Sequence, residues 1–241
     1  MFIAIVNQKG GVGKTTLAVH IAVWHLERDR RVAFIDADGQ SSSTRWLKAG
    51  GFPMTLITEA RPDPIIEHAR TLQTTHDVIV ADGPANLAES TRALLLVAHI
   101  ALVPCGVTVP ELESTAETIR MLQNARLVRT GQDPHASVVL TRVRNDRFLL
   151  TREAHEAVRL LGLPVCGNVL RLREATADAA GQRTVVWKMG GKARLAAREM
   201  LQLLEEIDNH ARQKTHDDRS TDDRATSLSA KRFGKGIAVH P

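Results

Sequence analysis

Ten consecutive residues carry the most legible chemistry in this chain: Asn7 to Thr16, reading Asn-Gln-Lys-Gly-Gly-Val-Gly-Lys-Thr-Thr. An apolar, β-branched run, Phe2 to Val6, precedes them and reads as a buried strand. Leu17 to Leu26 follows with the apolar spacing of a helix. A glycine-rich turn between strand and helix presents backbone N–H groups and a helix N-terminus to a phosphate chain. In that setting Lys14 reaches the β- and γ-phosphates, and the Thr15 hydroxyl is placed to ligate Mg²⁺. The bland alternative is a turn with no ligand. Three glycines and two lysines directly after a strand weigh against it.

Two later strand ends add carboxylates. Arg31 to Asp36 reads as a strand running into Asp36-Ala37-Asp38-Gly39-Gln40, and Asp77 to Asp82 as a second, with four apolar residues ending in an acid. Open α/β sheets place ligand chemistry at the carboxyl ends of buried strands. Two carboxylates beside a phosphate loop position Mg²⁺ or water. Taken alone, each stretch also reads as an ordinary polar turn.

The elements that must position these residues alternate along the chain. Helices are expected over Ser41–Ala49 (with serines capping its start), Pro64–Gln73, Leu87–Ala98, Glu111–Arg129, Phe148–Leu161 and Gly190–Ile207. Strands are expected over Met54–Ile57, Ile100–Val103 (ended by Pro104), Ser137–Thr141 and Leu163–Val169. Such alternation predicts an α/β fold, a mostly parallel sheet with helices on both faces. Residues 1–208 read as one domain. Residues 209–241, dense in Asp, Arg, Ser, Thr and Lys, read as a disordered tail, better taken as solvated than as a polyanion-binding arm.

Composition narrows the function classes. The chain has 241 residues, 43% hydrophobic and 24% charged, as expected of a globular protein. Aromatics are only 3% and Tyr is absent, so the core must be built from Val, Leu, Ile and Ala. The net charge of +5 favours polyanionic partners, DNA or an anionic membrane surface. Cys105 and Cys166 sit in or beside apolar runs, as buried thiols of a reducing cytoplasm do. Cys-x-x-Cys and His-Glu-x-x-His spacings are absent, which argues against a zinc site. The first strand begins at Phe2, which leaves no room for a signal peptide, and no apolar run is long enough to span a bilayer.

The strict phosphate-loop pattern places a glycine where Gln8 stands; here the order is Lys-Gly-Gly-x-Gly-Lys-Thr, with Lys9 at its head. This resembles the deviant Walker A motif of the ParA/MinD family of P-loop ATPases, over roughly Met1 to Ile207. Asp36 to Gln40 resembles the family's second acidic motif, with Gly39 where proline is more usual, and Asp82 its Walker B acid. The resemblance implies ATP and Mg²⁺ as cofactors, Mg²⁺-dependent and partner-stimulated ATP hydrolysis, and a nucleotide-sandwich homodimer. In that dimer Lys9 would cross to the phosphates of the partner subunit. It further implies that Gly10, Gly11, Val12 and Gly13 cradle phosphates, that Lys14 and Thr16 contact them, and that Thr15 contacts Mg²⁺. Asp38 would orient the attacking water, and Asp36 and Asp82 would support the metal. Arg142 and residues 166–169, at later strand ends, are candidates for the adenine side.

Between Arg142 and Arg198 basic residues outnumber acids. Clustered Arg and Lys give salt-dependent, sequence-independent phosphate binding. The stretch Val169 to Ala175 resembles the region bearing DNA-contacting arginines in ParA proteins. Arg171, Arg173, Arg183, Lys188 and Arg194 are the candidates, against the bland reading of solvated helix faces. The leading expectation is a cytoplasmic, nucleoid-associated ParA-type ATPase. It would partition or position a cargo through a ParB-like or other adaptor: a plasmid, a chromosome or a protein assembly such as a carboxysome. The alternative is a MinD-like membrane-associated regulator, for which Arg224 to Pro241, broken by Gly234 and Gly236, makes a poor amphipathic helix. A metal-cluster ATPase would need cysteines at positions that Cys105 and Cys166 do not match, and a small-molecule kinase would not need Lys9.

Overall fold

A run of β-branched and apolar residues with no polar face must be covered on both sides, and four stretches of this chain are built that way. In a computed structural model, which describes residues 1–129, 132–144 and 149–211, they form the middle of a seven-stranded sheet. The strands are β1 (Phe2–Ile5), β2 (Val32–Asp36), β3 (Thr55–Thr58), β4 (Val78–Asp82), β5 (Ile100–Cys105), β6 (His135–Val143) and β7 (Leu170–Arg171). Their order is β3-β2-β4-β1-β5-β6-β7, and every pairing among the described residues is parallel. Strands β1, β2, β4 and β5 are buried throughout, while β3, at one edge, is not.

The crossovers are α1 (Lys14–Leu26), α2 (Ser42–Ala49), α3 (Pro62–Thr75), α4 (Ala88–Val97), α5 (Val109–Val128) and α6 (Leu149–Leu160), followed by short α7 (Glu174–Asp178). A last helix, α8, covers residues 194–211. The core has few rings: Phe2, Trp24, Phe34 and Trp46 sit among Ile, Val, Leu and Ala. Register decides the site. Ile5 pairs with Asp82, and Asp36 pairs with Asp82, so β1, β2 and β4 end side by side.

Several expectations need correction. Strand β5 does not stop at Pro104 but runs through it to Cys105. Past Leu102 it pairs with β6 alone, so the proline's missing N–H leaves no ladder bond unmade. The strand expected over 163–169 reduces to one bridge, Val165 to Val138, with the ladder resuming at β7. The Gly167 and Asn168 N–H groups donate instead to the Glu206 carboxylate, at 2.7 and 2.9 Å. Helix α2 takes no side-chain cap from Ser41; Asp36 Oδ2 accepts the Thr44 N–H at 2.9 Å from the neighbouring strand. The helix expected from Gly190 begins only at 194, because Gly190 is left-handed (φ 78°) and two 3₁₀ turns, Val186–Lys188 and Gly191–Ala193, come first.

The chain divides into a unit Met1–Glu206 and a second beginning at Ile207, of which 207–211 are helical. The remaining expected tail, 212–241, lies outside the described residues.

Candidate nucleotide site

Helix α1 starts abruptly because Gly13 caps it in the left-handed region, φ 95°, with Gly11 at φ 75° before it. The first helical bond is from the Leu17 N–H to the Gly13 carbonyl, 3.0 Å. The N–H groups of Lys14, Thr15 and Thr16 are therefore the donors that a helix start leaves without helical acceptors. They share that end of the sheet with Asp36 and Asp82. Lys14 is buried, and its ammonium donates to the Lys9 carbonyl at 2.8 Å. Burial lowers its pKa, and the charges of Asp82 and Asp38 oppose that shift. The Lys9 side chain, by contrast, is exposed.

The three acids take different stations. Thr15 Oγ1 donates to Asp82 Oδ2 at 2.7 Å, while Asp82 Oδ1 is buried with no hydrogen-bond partner. Burial pushes Asp82 up to about 7, opposed by the Thr15 hydroxyl, helped by the charge of Asp36, and opposed further by the nearby Ser43 hydroxyl and Lys14. An orphaned carboxylate oxygen beside a threonine hydroxyl is the oxygen-donor chemistry that suits Mg²⁺. Asp36 is wholly buried and spends both oxygens on backbone, Oδ1 on the Asp38 N–H (3.2 Å) and Oδ2 on the Thr44 N–H. Asp38 is half-buried, and its Oδ1 accepts the Gln40 N–H at 2.9 Å. Asp36 thus builds the turn that presents Asp38.

Arg142, in the left-handed region at the end of β6, is ion-paired with buried Glu111. Its neighbour Thr141 meets the phosphate loop, donating from Oγ1 to the Val12 carbonyl at 2.8 Å. Cys166 is buried, and burial pushes its thiol up to about 12.

The DNA candidates do not gather into one group. Arg171 and Arg173 converge on a single carboxylate, Glu199, at 2.9 and 2.6 Å. Lys188 pairs with Glu27 at 2.6 Å and faces the Phe52 ring at 5.5 Å. Arg183 and Arg194 are exposed. Residues missed as parts of these sites are Thr141, Glu111, Glu199 and Asn7, the last quoted in the motif without a role. The signal available for Asn7 was a polar residue closing a buried strand. Glu111 stood three residues after Thr108, the spacing of a capping box, which the structure forms. Nothing local marks Glu199, whose partners lie 26 and 28 residues away.

Residues 3–186 match the family model described as the CobQ/CobB/MinD/ParA nucleotide binding domain. The chain belongs to the ParA/MinD family of deviant Walker A P-loop ATPases. It is 29% identical over 210 residues to the maintenance of carboxysome distribution protein A of Halothiobacillus neapolitanus, covering 85% of this chain and 95% of that one. Against the protein of the same name from Gloeobacter kilaueensis, identity is 31% over 212 residues, 86% of this chain and 93% of the relative. Among solved structures it is similar to apo McdA from Cyanothece, with a TM-score of 0.72 at 18% identity over 86% of this chain and 98% of that one. It is also similar to the septum site-determining protein MinD of Pyrococcus horikoshii complexed with Mg-ADP. That match has a TM-score of 0.65 at 20% identity, over 87% of this chain and 96% of that one. The expected α/β P-loop fold and the family assignment both hold. Among the described residues, no helix is long and apolar enough to cross a membrane.

Proposed function

We propose that this ParA/MinD-family member is a Mg²⁺-dependent ATPase of the ParA type. Its ATP-bound homodimer binds duplex DNA without sequence preference, associates with the nucleoid, and positions a cargo through an adaptor protein. The observation that carries the reading is the pair of lysines on one loop. Lys14 is folded into the loop, whereas Lys9, at its head, is turned out to solvent. A lysine so placed acts on a phosphate only when a second molecule brings one. Leu87, just before α4, and Val109 and Leu149, the first residues of α5 and α6, are exposed at the same carboxyl edge of the sheet. That is a surface suited to a second copy. The two relatives named for carboxysome distribution support a positioning role.

In this reading the Lys14, Thr15 and Thr16 N–H groups and those of Gly10–Gly13 hold the β- and γ-phosphates. Lys14 leaves the Lys9 carbonyl for them. The partner subunit's Lys9 places positive charge where negative charge develops during phosphoryl transfer. Asp82 and Thr15 would hold Mg²⁺, with Asp36 in support, and the metal would neutralise charge on the phosphate oxygens. Asp38, half-buried at the tip of the turn, orients the attacking water. Arg142 serves the adenine side only by giving up Glu111. Arg171, Arg173, Arg183, Lys188 and Arg194 supply the DNA contacts. Arg171 also lines, with Arg152, Arg198 and Glu199, a cavity of about 280 Å³.

The deciding experiment is binding to non-specific duplex DNA over a salt series, with no nucleotide, ADP, ATP or a non-hydrolysable analogue. Binding confined to ATP and the analogue, and fading with salt, supports the reading. No binding under any nucleotide, with ATP-dependent sedimentation on anionic vesicles, would replace it with a membrane-positioning role.

A further inference from the structure

The residue before Gln8 has an unusual degree of engagement. Asn7 is fully buried where β1 ends and makes four hydrogen bonds. Nδ2 donates to the Pro104 carbonyl at 2.8 Å and to Thr115 Oγ1 at 3.0 Å. Oδ1 accepts the Lys9 N–H at 2.9 Å and the Ser114 hydroxyl at 2.8 Å. Two donors and two acceptor positions are all a primary amide has, so none is left over. The orientation is fixed by chemistry as well: a carbonyl can only accept and a backbone N–H can only donate.

These bonds join two elements to one peptide. Pro104 lies on β5, and Ser114 and Thr115 on α5. Gln8 extends the same joint: its N–H donates to Thr118 Oγ1 at 3.3 Å, one turn along α5, and its side-chain amide donates to Thr91 Oγ1 on α4 at 3.1 Å. Thr115 and Thr118 are completely buried, so this polar stripe of α5 faces inward. The Lys9 peptide is held at both ends, its N–H by Asn7 and its carbonyl by the Lys14 ammonium. When Lys14 turns to phosphate, Asn7 is the hold that remains.

We propose that Asn7, braced by Ser114 and Thr115 of α5, is a positioning residue that aims Lys9 for hydrolysis and couples that aim to the placement of α5. The inference rests on the reading above that Lys9 acts on bound phosphate. A side chain on a four-carbon stem reaches a point in space only as well as its peptide is fixed. Freeing the N–H of that peptide therefore costs turnover more than nucleotide affinity.

The test is a double-mutant cycle on the full chain. Asn7→Ala, Lys9→Ala and the double variant are compared for single-turnover ATP hydrolysis with duplex DNA present and for affinity for a fluorescent ATP analogue. Asn7→Ala is expected to lower the hydrolysis rate about tenfold or more, in keeping with the cost of misplacing a reacting group, with affinity little changed. In the Lys9→Ala background it should cost almost nothing more. Additive losses in the two backgrounds, or a loss confined to affinity, would mean that Asn7 is only structural and would overturn the proposal. Should Asn7→Ala fail to fold, Ser114→Ala with Thr115→Val removes the brace and leaves the amide, and the same non-additivity with Lys9→Ala is required. If Lys9→Ala by itself leaves hydrolysis untouched, the reading of Lys9 fails, and the inference with it.

Discussion

At the residue scale, Asp82 shows a site holding an uncompensated charge. One oxygen takes the Thr15 hydroxyl, the other is buried and unpaired, and burial raises the pKa to about 7. A carboxylate raised from 3.8 to about 7 on folding weakens the ligand-free protein as pH rises from about 4, and does so in full above about 7. Asp82→Asn should therefore raise the stability of the nucleotide-free protein at pH 8 by about 1–3 kcal/mol. It should also remove the dependence of nucleotide binding on Mg²⁺. Thermal unfolding with and without Mg-ATP checks both; a variant destabilised without ligand would contradict the account. His20 makes the opposite case. It is fully buried, its Nδ1–H donates to the Thr16 carbonyl at 2.7 Å, and its Nε2 accepts the Val186 N–H at 3.1 Å. Burial lowers it from 6.5 to about 4. The unfolded chain then binds a proton that the folded chain refuses, so stability is complete above about pH 6.5 and is lost as pH falls towards 4, by roughly 3 kcal/mol. His20→Gln should flatten that slope in denaturant titrations run between pH 7 and pH 4.5.

At the element scale, strands and helices hand polar groups to one another across the sheet's carboxyl edge. β2 caps α2 through Asp36, β6 touches the phosphate loop through Thr141, and β1 meets α5 through Asn7. Helix α8 does the same for β7. Burial alone would raise the pKa of Glu199, but the guanidiniums of Arg173 and Arg171 hold it below the usual carboxylate range. That pairing keeps two DNA candidates engaged within the chain. Glu199→Gln should loosen both arginines, tighten non-specific duplex binding several-fold and steepen its salt dependence. It should cost about 1–3 kcal/mol of stability, since the buried partner of two half-exposed guanidiniums is removed. Weaker DNA binding with a well-folded variant would show that Glu199 presents the arginines rather than restrains them.

At the scale of the whole molecule, the parallel sheet puts every strand-end motif on one edge, and some of the exposed apolar residues lie at that edge, others, Leu127, Val128 and Leu160, at the far ends of α5 and α6. Val109 is 64% and Leu87 45% exposed. If a second copy covers them when ATP is bound, Val109→Glu should leave the monomer within about 0.5 kcal/mol of its original stability, as for other surface changes. It should abolish the dimer formed with a non-hydrolysable ATP analogue. Light scattering after size exclusion separates the outcomes, and a dimer unaffected by the charge would move the interface elsewhere.

The placement of the motif residues was legible from the chain alone because it is local. Glycines at the turn, Lys14 and Thr15 at a helix start, and acids at strand ends all follow from spacing within ten residues, and apolar runs separated by helical stretches sufficed for a parallel α/β sheet. What only the tertiary structure decided is which polar groups are already satisfied. Asp36 spends its oxygens on the Asp38 and Thr44 N–H groups, Arg142 goes to Glu111, and Arg171 and Arg173 share Glu199, while Asp82 keeps one oxygen unpaired. The strand expected over 163–169 breaks off for the same reason, its Gly167 and Asn168 N–H groups being taken by Glu206, 39 and 38 residues on. A hydrogen bond needs two groups within about 3 Å of each other. Distant partners are brought that close only by strand order and register, which no local pattern of residue types encodes.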